Sequence, residues 1–457
     1  MKTHSLLTMI LLTSMCCNGQ WSFTNLTESK WRMGVTSLGT KVFFAGGELT
    51  SGEQGSAIEV YDIANDDWDT VINLVFPRSH ITCVSCGTKV FFAGGIDFGT
   101  FTIYDIVEIW DIETGQWSFE QLLAPRFSIS AVSYGNKVMF AGGSNFIMGT
   151  DYDLVEIYNI ETGQWDTTHL SVARGGMSSA IVGDKAFFAG GSDMAGNVTN
   201  RVDIYNFTTG IWSIDSLSEP RTLTAAAAVG PKVLFAGGTT PENESSSRVD
   251  IYDTESGMWE ETAELSQPRA FWENNAGSRC DQFAYFVGGG IFDLDNNWYY
   301  DPFNTIDIYD LSNNEWATDT TYAPVLGHSV IGVDDHLLIA GGMTNVDVSS
   351  RVQILNDTCL WDAVDEPAVG GQRSAVSAYP NPTHSTIQFR VSGIEHQWIM
   401  LKIFNSQGQE VATALEGRWP GDQVVRWDAT GLPAGVYYYQ LRAEGVRQVG
   451  AGKVVKY

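Results

Sequence analysis

The chain has 457 residues, including 47 Gly, 15 Trp, 17 Tyr and 23 Phe, and a formal net charge of -28. This length exceeds what one hydrophobic core usually needs, so we expect two or more structural units. The aromatic, turn-rich composition favours β structure. The negative charge argues against nucleic acid and anionic membranes as partners. Residues 377–457 are slightly basic, which predicts a domain boundary near residue 370.

Residues 1–19 have the pattern of a secretory signal peptide. A basic residue precedes an apolar run from Leu6 to Met15, and small residues follow. We expect cleavage before Gln20 and export of the mature chain. The alternative, a lipoprotein signal, needs a small residue before the acceptor Cys16, where this chain has Met15. No later apolar run has the length of a membrane span, so we expect none in the mature chain.

One short stretch recurs along most of the chain. The seven letters "KVFFAGG" stand at residues 41–47 and again at 89–95, and five near copies follow. Successive copies lie 47 to 53 residues apart, and a period of this size predicts a propeller or a solenoid. The glycine pairs begin at Gly46, Gly94, Gly142, Gly190, Gly237, Gly288 and Gly341.

Each repeat predicts four short strands in a fixed order. The first is rich in Ser, Ala and Thr, and we expect it near the axis, where only small side chains fit. The second is the apolar run, typical of a strand buried on both faces. The third alternates, as in "VEIYN" at residues 155–159. The fourth begins at a Trp: Trp68, Trp117, Trp165, Trp212, Trp259 and Trp316.

The phase of the repeats predicts how the ring closes. The stretch "QWSFTNL" at residues 20–26 matches the fourth strand "QWSFEQL" at 116–122, but it precedes the first repeat. The last repeat has its third strand at residues 351–355. We therefore expect the mature N-terminus to supply the outer strand of the last blade, rather than the segment around Trp361.

These features together resemble kelch β-propellers. The shared features are Gly-Gly after an apolar strand, Tyr and Trp at fixed offsets behind it, and a preceding "PR". The resemblance covers residues 20–362, seven times over, and implies an all-β, seven-bladed kelch β-propeller. The family includes protein-binding, glycan-binding and enzymatic members, so the fold alone leaves the function open.

The composition of residues 363–376 indicates a linker. The alternation of apolar and polar positions between turn residues in 377–457 predicts a small Ig-like β-sandwich. This last stretch resembles the type A C-terminal sorting domain of Bacteroidetes type IX secretion cargo. The resemblance implies Sec export to the periplasm, handling by the type IX machinery, outer-membrane translocation, and surface attachment or release after the domain is removed. The alternative is an Ig-like adhesive module. The motif residues are Tyr379, Pro380, Asn381, Pro382, Gly408, Gly435, Tyr437, Lys453 and Lys456.

A set of cations recurs just before the inner strands. Its members are Lys30, Arg78, Arg126, Arg174, Arg221 and Arg269, and two positions further on stand Arg32 and His80. The seventh repeat has Val325 in this place. One hypothesis is a ring of cations at the channel mouth that binds an anionic or sugar ligand, which stacks on loop aromatics such as Trp298, Tyr299 or Phe101. The alternative is that these side chains bond loop carbonyls between blades.

The sequence is therefore compatible with two functions. One is a secreted or cell-surface binding or adhesion propeller for a glycan or a protein. The other is a kelch-type carbohydrate-active enzyme, such as a sialate mutarotase, at the basic channel mouth. Its catalytic groups are not identified by any motif. A copper radical oxidase is not supported, because the histidines fall at unmatched positions of the repeat.

No cofactor and no metal are predicted. The acidic stretch "DLDNN" at residues 293–297 is a weak Ca²⁺ signal, since it has no closing bidentate Glu. The mature chain keeps Cys83, Cys86, Cys280 and Cys359. The pair "CVSC" at 83–86 falls in a predicted strand, so we favour structural cysteines over a redox motif and leave their disulfide state open.

Overall fold

A computed structural model describes the strands of the chain and most of their connections. The described residues are 21–69, 71–272, 276–291, 301–356, 375–379, 386–392, 398–405, 410–418, 423–433, 435–443 and 446–456. The chain divides into two compact units, residues 1–357 and residues 358–457. The described parts of both consist of strands, turns and loops.

Seven antiparallel sheets follow one another within the described residues of the first unit, and we call each sheet a blade. In every blade four strands pair in sequence order from the inner to the outer strand, except that the outer strand of blade seven comes from the start of the chain. The inner strands are Gly34–Leu38, Thr82–Cys86, Ser130–Tyr134, Ser178–Val182, Ala225–Val229, Ala276–Arg279 and Ser329–Val333.

The second, third and outer strands recur in every blade as regularly as the inner strands do. The second strands are Lys41–Ala45, Lys89–Ala93, Lys137–Ala141, Lys185–Ala189, Lys232–Ala236, Phe283–Val287 and His336–Ala340. The third strands are Ala57–Asp62, Ile106–Asp111, Leu154–Asn159, Arg201–Asn206, Arg248–Asp253, Asp301–Asp310 and Arg351–Leu355. The outer strands of blades one to six are Asp67–Trp68 with Ile72–Asn73, Gln116–Gln121, Gln164–His169, Ile211–Ser216, Met258–Trp259 with Ala263–Glu264, and Glu315–Val325.

Short two-residue strands lie in the loops that follow the glycine pairs, and in blade one such a strand pairs with Lys30–Trp31. They form three separate two-stranded ribbons, and one more strand pairs with the third strand of blade six. They are Lys30–Trp31 with Glu48–Leu49, Ile96–Asp97 with Thr102–Ile103, Ser144–Asn145 with Thr150–Asp151, and Gly290–Ile291.

The recurring apolar strand is buried on both faces because each face packs against a different neighbour. In blade one, Phe43 belongs to the core shared with blade two, where it meets Phe92, and Phe44 belongs to the core shared with blade seven, where it meets Leu338. Both phenylalanines are almost fully buried. An unbroken apolar run therefore recurs wherever two blade interfaces flank one strand.

The glycine pair that ends this strand is required by the backbone. Gly46 and Gly47 have φ angles of 62° and 102°, a region that side-chain-bearing residues rarely adopt. A Cβ on Gly46 would lie 2.4 Å from the carbonyl oxygen of Arg78 in the next blade. The pair thus lets consecutive blades approach each other.

The inner strands contact one another around the axis, and the inner strand of blade seven contacts that of blade one. Their small hydroxyl side chains tie neighbouring blades together: Thr82 Oγ1 donates to the Ile129 carbonyl at 2.6 Å, and Ser130 Oγ donates to the Met177 carbonyl at 2.9 Å. This confirms the prediction of a small-residue strand next to the axis.

The predicted closure of the ring is confirmed. Trp21–Asn25 pairs antiparallel with Arg351–Leu355, with Trp21 opposite Leu355. Trp21 Nε1 also donates to Asp319 Oδ2 of blade six at 3.3 Å. The first described strand thus completes the last blade, and the alternative, Trp361, lies outside the described residues.

The second unit contains two antiparallel sheets around one core. A three-stranded sheet has the order Ala375–Tyr379, Thr386–Ser392, Gln423–Asp428, and a four-stranded sheet has the order Glu410–Arg418, Trp398–Asn405, Gly435–Ala443, Val446–Lys456. The buried core includes Ile387, Phe389, Ile399, Leu401 and Leu441. The name Ig-like for this unit stays a prediction, as do the boundaries of the linker.

The described sorting-motif residues lie in this strand framework. Gly435 pairs with Lys456 and Tyr438 with Lys453 on the last two strands, and the Tyr437 hydroxyl donates to the Pro433 carbonyl at 2.8 Å. Tyr379 ends the first strand of this unit. Pro380, Asn381, Pro382 and Gly408 lie outside the described residues.

The described residues also bear on the expectations about membrane spans and cysteines. No helix there has the length and apolar character that a membrane crossing requires. Cys83 and Cys86 are thiols on an inner strand, as the strand assignment predicts. Cys280 is disulfide-bonded.

Candidate binding site at the channel mouth

The six recurring cations are fully buried, so their predicted role as ligand-binding groups at the mouth is wrong. Each has a relative exposure of 0%. In blade four, Arg174 donates to the carbonyl oxygens of Gly190 at 2.8 Å, Val172 at 2.9 Å and Phe188 at 3.2 Å. The alternative interpretation, that these side chains bond carbonyls of loops between blades, fits the bond to Val172, whereas Phe188 and Gly190 belong to the second strand of the same blade and its end.

Each buried cation also forms an ion pair with a buried carboxylate on the third strand of its blade. In blade four the distance from Arg174 Nη2 to Asp203 Oδ2 is 2.8 Å. Burial lowers the pKa of Arg174, and the Asp203 carboxylate opposes that shift. The pairs are Lys30 with Glu59, Arg78 with Glu108, Arg126 with Glu156, Arg174 with Asp203, Arg221 with Asp250, and Arg269 with Asp307.

Each of these carboxylates also accepts a second hydrogen bond, and this explains why an acid recurs at the position. The other oxygen of each accepts a backbone N–H from the loop that arrives from the preceding blade, as from Val75 to Glu108 at 2.8 Å and from Ser171 to Asp203 at 3.0 Å. In blade seven, Val325 replaces the cation and Gln353 replaces the carboxylate, and Gln353 Oε1 still accepts the backbone N–H of Tyr322, near the end of the outer strand of blade six, at 2.8 Å. The pair is therefore a structural clamp between blades.

Arg32 and His80 are placed differently from the other six, since both line a cavity of about 330 Å³. The cavity is bounded by inner strands of blades two to six, by the residues that lead into them, and by Arg32 of blade one. Its lining includes Trp272 and Phe271 from blade six and the hydroxyl-bearing Ser130, Ser178 and Thr224. Two of the eight predicted binding residues are thus brought together at a cavity.

Arg32 lies beside two indole rings that stack on each other. Its Cζ lies 3.7 Å from the Trp31 ring centroid and 4.7 Å from the Trp272 ring centroid, and the two indoles stack at 6.2 Å. Arg32 Nη1 is 3.3 Å from Glu48 Oε2, and the Arg32 side chain is 16% exposed. Cation–π contacts and this partly exposed ion pair hold the guanidinium in place, while part of the Arg32 side chain stays accessible.

His80 is a neutral group at this mouth. Burial, and then the nearby charge of Arg32, lower its pKa to about 3. Its ring contacts Phe98 and Phe127 edge-on, with centroids 5.6 and 5.8 Å apart. Among the described residues that line the cavity, the positive charge at neutral pH is therefore that of Arg32.

The residues that lead into the inner strands share an uncommon backbone conformation. Arg32, His80, Ser128 and Leu223 have φ angles of 51° to 54°, and glycine occupies the equivalent place in blades four and seven. This region costs a non-glycine residue roughly 1 kcal/mol or more. Backbone bonds run from blade to blade here, as from Arg32 N to Gly327 O at 2.8 Å and from His80 N to Arg32 O at 3.2 Å.

Sequence reasoning missed Trp31, Trp272 and Glu48. Trp31 stands between the two predicted residues Lys30 and Arg32, which was the available signal. Other predicted elements of the loop face, namely "DLDNN" and the loop aromatics at 298 and 299, lie outside the described residues. Phe101 is described and is 64% exposed. No group of three metal-ligating side chains occurs within the described residues.

Family models match both parts of the chain. The KLHDC2/KLHL20/DRC7 Kelch-repeats domain matches residues 128–342, the Kelch motif matches residues 77–121, and the Secretion system C-terminal sorting domain matches residues 377–456. No curated protein matches the chain. One similar solved structure is titled "Structure of YjhT"; it has 17% sequence identity and a TM-score of 0.49, and the match covers 65% of this chain and 99% of that chain.

The kelch matches agree with the repeated four-stranded sheets, and the sorting-domain match agrees with the motifs at the end of the chain. These findings confirm the predicted all-β kelch fold and the sorting domain. The sorting domain indicates handling by the type IX secretion machinery and a location at the cell surface or outside the cell. The chain is therefore a kelch-repeat β-propeller protein that carries a type IX secretion C-terminal sorting domain.

Proposed function

We propose that the propeller is a secreted or cell-surface binding or adhesion module that binds a glycan or a protein ligand at the mouth of its axial channel. The observation that carries this proposal is Arg32, a partly exposed side chain that lines the cavity and packs against Trp31 and Trp272. A planar guanidinium beside aromatic rings suits a carboxylate or a sugar with vicinal hydroxyls.

Three hydroxyls of the lining hold neighbouring blades together. Ser130 donates to a carbonyl of the next blade, and Ser178 and Thr224 bond each other at 2.7 Å. These hydroxyls form part of the cavity wall. The polar groups that orient a bound ligand at the mouth are therefore Arg32 and the neutral imidazole of His80. Such a set supports recognition of an anionic or sugar group.

The enzymatic alternative, a carbohydrate-active enzyme such as a sialate mutarotase, needs an acid and a base that converge on one ligand atom. Among the described lining residues, the titratable groups are Arg32, His80 and Cys83. The His80 imidazole has a pKa of about 3, which makes it a weak base. The described geometry thus favours binding over catalysis.

The test is a glycan and peptide array probed with the mature protein, followed by affinity measurements on the best ligand. Arg32→Gln should weaken binding by about ten- to a hundred-fold, the loss expected for a hydrogen bond to a charged group. Arg201→Gln is the matched control, because Arg201 is exposed on blade four, away from the cavity lining. Equal affinity of both variants would contradict the proposed site.

A further inference from the structure

A second pocket lies on the outer part of blade two, away from the channel. It has a volume of about 550 Å³ and is lined by Phe76, Tyr104, Asp105, Ile106, Phe119, Glu120 and Gln121. We call it the blade-two pocket. Three aromatic rings and two carboxylates meet here, on a surface that the channel-mouth site does not use.

The aromatic rings of this pocket are accessible. Phe76 and Tyr104 stack with centroids 5.3 Å apart, and Phe76 is 41% exposed. Phe119, on the outer strand, is 52% exposed. Large aromatic side chains that stay exposed together on a soluble domain mark an interaction surface.

The two carboxylates carry uncompensated negative charge. Gln121 Nε2 donates to Asp105 Oδ2 at 2.9 Å, and Trp165 Nε1 donates to Glu120 Oε2 at 3.2 Å, so both donors are neutral. Within the described residues, no ion pair involves Asp105 or Glu120. An acidic site walled by aromatic faces favours a cation, through Coulomb attraction and cation–π contacts together.

Blade seven shows what fills the equivalent place. Phe23 corresponds to Phe119. Phe23 lies opposite Gln353 and Phe119 lies opposite Glu108, which hold the same position in the third strands of their blades. There the guanidinium of Arg351 lies 3.7 Å from the Tyr322 ring centroid and 5.5 Å from the Phe23 ring centroid. Arg351 begins the third strand of its blade, and Ile106 begins that of blade two.

We propose that the blade-two pocket binds a cationic side chain, Lys or Arg, of a partner polypeptide. The partner's cation occupies in blade two the region that the chain's own Arg351 occupies in blade seven, and Asp105 and Glu120 supply the negative charge that blade seven does not need. The acidic body of the protein steers a basic partner toward it. This site is independent of the channel mouth and of its ligand.

The test uses an acetylated Gly-Arg-Gly amide and its citrulline analogue, measured by ligand-observed NMR on the mature protein at physiological salt. The arginine peptide should bind and the uncharged analogue should not. Phe119→Ala should weaken binding about two- to five-fold, the range expected for one exposed cation–π contact. Ile214→Ala is the matched control, because Ile214 holds the same strand position in blade four and is 54% exposed.

A charge-matched pair of variants completes the test. Glu120→Gln should weaken binding of the arginine peptide several-fold, while Asp215→Asn, at the same position of blade four, should not. Equal effects of both members of either pair would show non-specific attraction to an acidic surface and overturn the proposal, as would equal binding of citrulline or preferential binding of a neutral sugar. Arg32→Gln should leave peptide binding unchanged, which separates this site from the proposed function.

Discussion

Arg174→Met tests whether the buried ion pairs hold the blades together. The substitution leaves the Asp203 carboxylate, which is 2% exposed, without its cation, and it removes three hydrogen bonds to carbonyl oxygens. Removing one partner of a buried ion pair costs about 3–5 kcal/mol because an uncompensated charge remains in the interior. We expect a loss of this size in the free energy of unfolding.

A rescue can be taken from blade one, where Lys30 and Glu59 stand at these two positions with Nζ and Oε1 2.7 Å apart. Lys is shorter than Arg by one atom and Glu is longer than Asp by one, so the two changes compensate in reach. Arg174→Lys alone should therefore be destabilising, and adding Asp203→Glu should restore much of the loss. A double-mutant cycle should give a favourable coupling of roughly 1–3 kcal/mol.

The assay is urea denaturation of the mature protein, followed by tryptophan fluorescence. Arg201→Met is the control, because Arg201 is exposed on the same blade and should change stability by no more than about 0.5 kcal/mol. Equal unfolding midpoints for Arg174→Met and this control would refute the structural interpretation. Loss of ligand binding at unchanged stability would instead restore the hypothesis that the buried cations bind ligand.

Three further predictions follow from other parts of the chain. Deleting residues 20–26 removes the outer strand of blade seven and exposes an unpaired edge, so the variant should unfold less cooperatively and aggregate; a parental melting curve would contradict this. Secreted material should lack residues after about 376, and intact mass showing the full C-terminus would argue against removal of the sorting domain. His328 is fully buried with its pKa lowered to about 3, below its unfolded value, so its contribution to stability is complete above pH 6.5 and is lost as pH falls toward 3, by about 1.4 kcal/mol per pH unit. His328→Met, which copies Met177 at the same point of blade four, should flatten that part of the stability curve, and an unchanged curve would show that other groups cause it.

The repeat period was enough to predict the strand order and the ring closure, since both follow from pattern alone. It was not enough to place the cations. The recurring cations were interpreted as ligand-binding groups at the channel mouth, although the third strands carry an acid with the same period: Glu59, Glu108, Glu156, Asp203, Asp250 and Asp307. The seventh repeat loses cation and acid together, at Val325 and Gln353. That joint replacement was the signal for buried pairs.

The channel-mouth site was harder to predict because its parts are distant in sequence. Trp31 of blade one stacks on Trp272 of blade six, and blade seven lies between them in the ring order. The contact depends on Gly327, where a Cβ would lie 2.8 Å from the Trp31 ring. Nothing in one repeat encodes a contact across two blade interfaces, and therefore only the folded ring reveals it.

The burial of the six cations also changes the electrostatics that a ligand meets. Since each is neutralised by a buried carboxylate, they contribute little to the surface potential, and the accessible surface is more uniformly acidic than the composition suggests. An anionic ligand must then approach Arg32 through a repulsive field, whereas a basic peptide is drawn to the blade-two pocket. Salt screens both effects, so raising the ionic strength should speed the association of an anionic ligand and slow that of a cationic peptide. Stopped-flow association rates at two salt concentrations distinguish the two sites by the sign of the change, and the same sign for both ligands would contradict this account of the surface.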